Sequence, residues 1–560
     1  LQYFVDISLI NYQYKRKHKV CIKKGGGMSK VMSARDAVEM ISTGDTVAIG
    51  GLISLVTPEA VIRALGDRFR ETGSPGNLTL MTPNRPGWTP GTGMDHLGQP
   101  GMLRRVYGAT FNRGDSPAFV SMAEKGEIEI YSYPMGCLYR LVRETAAGSP
   151  GFFTQVGLNT YVDPEAINAG SPASNSATPP STLVRRIELD GEPYLFYKAF
   201  PIHAAIIRGT VADPDGNISL AQEPVSIAVK AMAMAARNSG GKVIAQVKYL
   251  TDRGTLHPRM VEVPGMLVDA VVVDPQSIQS RLGDYDPLLS GEYRNRKIDY
   301  PFLEFDERKI IARRALLEMK PNQVVNLGVG IGTGIPPVAL EEGVIDKIIF
   351  SLEHGAIGGV PAIGTMNNSG AFGAHYNPTS IIDSTEIFDF YHGGGLDLTV
   401  LGFAEVDKEG NVNVGHFSGM IRGPGGFLDI AHRTKIILFC GTLTAGGLKI
   451  DIRDSSEPSI HILQEGRSKK FIDHVSQINF HGPTAFAKGQ KVLYITERGV
   501  FQLQKSGLEL IEIAPGIDLD RDIKQVVAFS FSVSPQLSIM NPKIFNAAKL
   551  NLDSTSPWKN

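Results

Sequence analysis

The chain has 560 residues, 42% of them hydrophobic and 20% charged, an ordinary globular composition on a chain too long for one core, which predicts more than one domain. Lys and Arg number 56 against 57 Asp and Glu, a net charge of −1, so no overall field favours nucleic acid or an anionic membrane, and no apolar run is long enough to span a bilayer. Three separated cysteines, Cys21, Cys137 and Cys440, without a CxxC or Cys/His pairing, support neither a disulfide framework nor a zinc or other metal site and point to a reducing, cytoplasmic setting.

Residues 1–27 carry the basic run "YKRKHKVCIKK", and "MSKVMSARDAVEMI" follows from Met28. A targeting arm is one reading of the leader. The preferred expectation is that 1–27 is non-native or disordered, with Met28 as the native start. From there the chain reads as internally doubled. "ARDAVEMISTGDTVAIGGL" from Ala34 and "ARRALLEMKPNQVVNLGVG" from Ala312 both read as amphipathic helix, polar turn, apolar strand and Gly-bearing loop. "IIRGTVADPDGNISL" and "TVLGFAEVDKEGNVNV" each place Asp-x-Asp/Glu-Gly-Asn between two strands. "GGKVIAQV" and "RTKIILFC" follow as further strands. The order is the same in both halves, which predicts two tandem open α/β domains, 28–285 and 303–535. Residues 286–302 are the expected linker and 536–560 a poorly ordered tail. "GSPASNSATPPST", Gly170 to Thr182, reads as a mobile surface excursion.

Two stretches in the second half carry the chemistry. "VVNLGVGIGTGIP", Val324 to Pro336, sends an apolar strand into a loop with Gly328, Gly330, Gly332 and Gly334. Such a loop can turn backbone N–H groups toward a phosphate, although Ile335 spoils the dinucleotide fingerprint and a plain strand–helix turn reads equally well. "FSLEHGAIGGVPAIG", Phe350 to Gly364, then places Glu353 among glycines. A ribose-gripping acid is one reading. The other is a carboxylate nucleophile, with glycines giving an acyl group access and N–H groups receiving an oxyanion.

Together the two stretches resemble the paired motifs of family I CoA-transferases, which include succinyl-CoA:3-ketoacid, propionate and acetate/acetoacetate enzymes. "GDTVAIGGLISLVTPEAV" resembles the family's N-terminal signature but departs from it at Leu52 and Val56. "YLFYKAFPIHAAIIRGTVADPDGNISL", "GPGGFLDIA", "FCGTLTAGGLK", "LQEGRSKKFI", "VLYITERGVF" and "LIEIAPGIDLDRDI" are similar to its single-chain acetate/propionate branch. The resemblance runs in order from about Met28 to Pro535.

The resemblance implies the CoA-transferase (NagB/RpiA-like) fold, with the domains facing each other across the active site. It implies that Glu353 forms an acyl anhydride and then a glutamyl–CoA thioester. Gly425 and Gly426 of "GPGGFLDI" would line the oxyanion pocket, with a plain turn as the alternative. "YSYPMGCLYRLVR" matches a segment that normally reads Pro-Gln-Gly, so Met135 replaces an amide. A thioether donates no hydrogen bond, and a backbone N–H near Gly136 would have to substitute, in what reads as a loop. Gly328, Gly330, Gly332, Gly446 and Gly447 are the expected CoA-binding glycines; Lys449 either meets a CoA phosphate or is simply solvated.

His354 adjoins Glu353 but needs no proton-transfer role, because the nucleophile is already an anion and the leaving group a thiolate. The expected reaction exchanges CoA between an acyl-CoA and a small carboxylate (acetate, propionate, butyrate or acetoacetate), with no cofactor beyond CoA itself, in a homo-oligomer, dimer or tetramer. Leu55, Val56 and Met135 predict an apolar acyl pocket. The alternatives are an acyl-CoA hydrolase on the same scaffold and a non-catalytic metabolite-binding protein.

Overall fold

A computed structural model describes residues 29–173, 178–295, 297–298, 300–362, 371–417 and 419–559. The leader and Met28 lie outside the described residues. In the first half, strands β1 (Thr46–Ile49), β2 (Leu78–Thr82), β3 (Leu103–Gly108), β4 (Glu129–Ser132), β5 (Ala204–Ala212), β6 (Lys242–Leu250) and β7 (Ala270–Val273) form one sheet, ordered β7-β6-β5-β1-β2-β3-β4. Every pairing along this path is parallel. Parallel strands need crossovers, and the helices that supply them bury the sheet on both faces. Crossover helix α1 (Glu59–Thr72) shows how the local sequence does this: Val61, Ile62 and Leu65 make its buried stripe, and Gly73 closes it with a left-handed φ of 71°. Two further helices, α2 (Met135–Ala146) and α3 (Val229–Asn238), pack on each other.

The second half opens with α4 (Glu307–Leu316), capped by the Asp306 carboxylate. Its parallel strands are β8 (Val324–Leu327), β9 (Ile349–Ser351), β10 (Leu398–Gly402), β11 (Ile436–Cys440) and β12 (Lys491–Ile495), ordered β9-β8-β10-β11-β12. β13 (Gly499–Gln504) and β14 (Gly507–Ile513) continue antiparallel, and β15 (Ser532–Ile539) adds a parallel edge. The doubling is therefore structural. β2-β1-β5-β6-β7 and β9-β8-β10-β11-β12 have the same order, and the repeated turns fold alike. Asp213 accepts from the backbone of Asp215 and Asn217 and from the Asn217 amide; Asp407 does the same with Glu409 and Asn411.

The halves meet through helices. Among residues 384–392, helix α5 (Ser384–His392) packs on α2. Its N-cap, Asp383, also accepts from Ser226 Oγ and the Ala228 N–H of the first half, both at 2.9 Å. A single apolar core runs across the junction, so the two domains are not separated by a gap.

Two segments differ from their sequence reading. Residues 536–559, expected to be poorly ordered, are docked. Arg313, fully buried, donates to the Asn546 carbonyl; the Leu550 N–H reaches Glu342 at 2.8 Å; and Trp558 is 2% exposed. Isolated apolar residues in a polar tail give no periodic signal, yet each fills a socket on the second domain. The flank of the expected mobile excursion is also fixed. The Ser132 N–H donates to the Pro172 carbonyl and Gln477 to the Ser171 carbonyl, so the two halves both hold it.

Candidate active site

Glu353 follows β9 after one residue, at the carboxyl ends of the parallel strands, where open α/β sheets bind their ligands. Its residue is 7% exposed, and its Oε2 has no hydrogen-bond partner among the described residues. Burial pushes the carboxyl up to about 7; the Asp429 charge adds to this, while the Glu353 backbone N–H and the Asn326 side chain oppose it. Asn326 projects from β8 and is fully buried. Its amide donates to the Ser351 carbonyl at 3.1 Å, and its oxygen accepts from Thr399 at 3.2 Å, which fixes the amide beside the acid.

The surrounding glycines serve chain packing rather than acyl access. A Cβ on Gly355, where φ is 100°, would stand 1.8 Å from the Ile382 carbonyl oxygen. One on Gly359, φ 67°, would stand 2.2 Å from the Tyr376 carbonyl. Residues 376–382 thus close directly onto the loop, and only a bare backbone with left-handed φ allows it. A cavity of about 660 Å³ borders this loop at Gly358 and Gly359, lined also by Ile349, Tyr300 and Thr379; Glu353 is not on its wall.

His354 is fully buried and neutral: burial pushes it down to about 3. Its Nε2 lies 3.3 Å from Asn84 Oδ1 and its Nδ1 has no partner among the described residues, so Nε2 carries the proton. Asn84 in turn donates to the Tyr139 hydroxyl. First-domain residues therefore hold the residue after Glu353. The loop that carries the N-terminal signature does likewise. Ile53 and Val56 have φ of 54° and 52°, values that β-branched residues rarely adopt and that tertiary contacts must enforce. The Ile53 N–H and carbonyl are pinned to Arg85 and Gly87, and Leu52 packs against Gly373 beside His354. Leu55 and Val56 are buried.

Met135 is not in a loop. It is the first residue of α2, after Pro134, and is 2% exposed. Its N–H donates to the Gly425 carbonyl at 2.9 Å, and its methyl lies beside Gly425. The Gly136 N–H, expected to replace the missing amide, is committed to Asp429 Oδ2 at 3.0 Å. The Gly425 N–H is committed to the Ala109 carbonyl at 2.9 Å. Among these amides only that of Gly426, the N-cap of α6 (Phe427–Ala431), has no acceptor among the described residues. Met135, Gly136, Gly425 and Gly426 thus form one cluster, knit by the fully buried Asp429, whose other oxygen meets His392 Nε2 at 2.9 Å.

The glycines expected to bind CoA divide. Gly328, Gly330 and Gly332 surround the turn after β8; Gly328 donates to the Val400 carbonyl at 2.8 Å, and Gly330 has φ of 109°. Gly446, Gly447 and Lys449 lie on peripheral hairpins, where Gly446 is bonded to Arg467 and Gly447 to Gln464, and Lys449 is exposed. Sequence reasoning missed Asp429, Asn326 and Asn84. Among the described residues no cluster of His, Cys, Asp and Glu is placed to hold a metal ion.

The profile of the Coenzyme A transferase family matches residues 31–274. Acetate CoA-transferase YdiF of Escherichia coli strain K12 is 41% identical over 93% of this chain and 96% of its own length. The chain belongs to the coenzyme A transferase family. Among its other relatives, the caffeate CoA-transferase of Acetobacterium woodii is 39% identical over 94% of this chain and 99% of its own. The crystal structure of the E. coli O157:H7 acyl-CoA transferase YdiF, a thioester complex with CoA, superposes with a TM-score of 0.85 at 39% identity, covering 94% of this chain and 97% of that one. This single-chain family I CoA-transferase is thus an enzyme with the two-domain α/β fold of its relatives. Among its described residues no helix is long and apolar enough to cross a membrane.

Proposed function

We propose that this transferase exchanges CoA between an acyl-CoA and a free short-chain carboxylate (acetate, propionate, butyrate or acetoacetate class) by a ping-pong route through Glu353. The observation that carries the reading is the buried Glu353 carboxylate, with one oxygen unpartnered, at the junction of two domains. In the first step this oxygen attacks the thioester carbonyl, the C–S bond breaks and CoA leaves as thiolate, giving an acyl–glutamyl anhydride. The thiolate then attacks the glutamyl carbonyl and expels the first carboxylate, leaving glutamyl-CoA. A second carboxylate reverses both steps. One activated bond replaces another, so CoA itself is the only coenzyme the scheme requires. The Gly426 N–H, without an acceptor among the described residues, is assigned as the oxyanion donor, and the neutral His354 holds the loop rather than moving a proton. Burial excludes the water that would hydrolyse an anhydride.

Leu55, Val56 and Met135 favour apolar acyl groups. Relatives named for acetate and for caffeate make the acyl pocket the variable part of the scheme. A cytoplasmic homo-oligomer, dimer or tetramer, completes the reading.

The test is chemical. Incubated with acyl-CoA and no acceptor acid, the enzyme should gain the mass of CoA on the peptide containing "SLEHGAIGGVP". Borohydride should then inactivate it, and added carboxylate should protect it. A hydrolase acting by direct water attack gives no adduct, and an adduct on Cys137 or Cys440 would remove Glu353 from the role.

A further inference from the structure

Three consecutive strands of the second sheet, β8, β10 and β11, end in glycine-bearing turns: Gly328–Gly330, Gly402–Phe403 and Gly441. The first two abut, since a Cβ on Gly402 would stand 3.3 Å from the Val329 carbonyl oxygen. Lys470 reaches the other two from the segment after Ser468–Lys469. Its ammonium lies 3.9 Å from the Phe403 ring centroid, and a Cβ at Gly441 would stand 2.7 Å from it, so only glycine leaves room there. Its own carbonyl is fixed by the Val406 N–H at 2.8 Å.

Among the described residues no ion pair or hydrogen bond to Lys470 Nζ is formed. The one carboxylate whose charge acts on it, Glu497, is spent on Arg498 at 2.6 Å and on the Leu443 N–H at 2.9 Å. Desolvation accordingly pushes the amine down to about 8. Lys470 is half-buried, and a partly desolvated cation held over an aromatic ring, without a counter-ion among the described residues, gains when an anion arrives.

We propose that Lys470, at the carboxyl edge of β10 and β11, is an oxyanion-binding residue that pairs with a phosphate of CoA. The inference rests on the CoA-exchange reading for its ligand, and it gives the Gly328–Gly332 turn a charged neighbour that backbone amides alone do not supply. An oxyanion here has two sources, a CoA phosphate or the carboxylate of the free acid, and the crevice position beside the glycine turn favours the phosphate.

The experiment compares the wild type with Lys470→Met, which keeps an apolar stem on Phe403, and Lys470→Arg, which keeps the charge. Binding of CoA and of phosphate-free pantetheine is measured by titration calorimetry, alongside the KM for acetate. Lys470→Met should weaken CoA roughly 10- to 100-fold without a matching loss for pantetheine, and Lys470→Arg should recover part of it. Equal weakening of both ligands, no weakening, or a rise in acetate KM with CoA binding intact would each overturn the assignment. Because binding is read without turnover, failure of the exchange reaction itself would show separately, as wild-type enzyme that binds CoA but transfers nothing.

Discussion

The Gly136 amide in the first domain donates to the Asp429 carboxylate in the second at 3.0 Å, with both groups buried. A Cβ at Gly136 would stand 2.7 Å from Asp429 Oδ1 and 2.5 Å from the Phe388 ring. One carboxylate therefore fixes the start of α2, which carries Met135, against α6, which carries Gly426. The same charge adds to the upward push on Glu353.

Replacing that charge should be visible in a pH profile. Asp429→Asn keeps an acceptor oxygen for the Gly136 N–H but removes the repulsion acting on Glu353. The limb of log(kcat/KM) for acyl-CoA, which rises with pH as Glu353 ionises near 7, should move to lower pH. An unshifted limb together with ordinary folding would show that Asp429 acts through geometry alone.

Glu353 itself should trade stability for reactivity. Its folded pKa of about 7 lies above the ordinary glutamate value of 4.5. The raised value favours the protonated folded state, so its contribution is whole below about 4.5, shrinks as pH rises and is lost above about 7. Glu353→Gln, which cannot ionise, should abolish sustained transfer, yet should melt higher than the wild type at pH 8 and no higher at pH 4. Glu353→Ala controls for deamidation, and near-normal transfer by it would exclude Glu353 as nucleophile.

Met135→Gln supplies the amide that the resemblance of "YSYPMGCLYRLVR" to a Pro-Gln-Gly segment leads one to expect at this place. The site is buried at a helix start, so an amide left without a partner should cost about 1–3 kcal/mol of stability. If its N–H reaches the reacting carbonyl, transfer of acetyl groups should rise relative to butyryl. Lower melting temperature with unchanged acyl preference would place Met135 in the core and outside the reacting shell.

Gly355→Ala tests the packing role of the glycines beside Glu353. Its methyl would meet the Ile382 carbonyl at a backbone angle that alanine resists. Loss of several kcal/mol is expected, seen as a large drop in melting temperature or in soluble yield. A stable, active variant would mean that residues 380–382 are free to withdraw.

The doubled plan was legible because it is written in local signals. The Asp213–Asn217 and Asp407–Asn411 turns use the same residues at the same spacing, and each follows an apolar strand. Glu353 was legible through its glycine context and resemblance. Asp429, Asn326 and Asn84 were not, since each is an isolated polar residue whose partner is 25 or more positions away, beyond any local pattern. The segment around Met135, between Pro134 and Gly136, read as a loop, but proline near a helix start forfeits no intrahelical bond and lets α2 begin at once. The tail's partners are likewise remote: Leu550 and Glu342 meet only after folding.

The edge strand β15 has a consequence for how copies of this protein can meet. It pairs with β14 through an irregular register, contains Pro535 and exposes much of its length. A bulged border interrupted by an imino acid is a poor template for another chain's backbone. The far rim of the second sheet is therefore ill-suited to ribbon-to-ribbon growth from copy to copy.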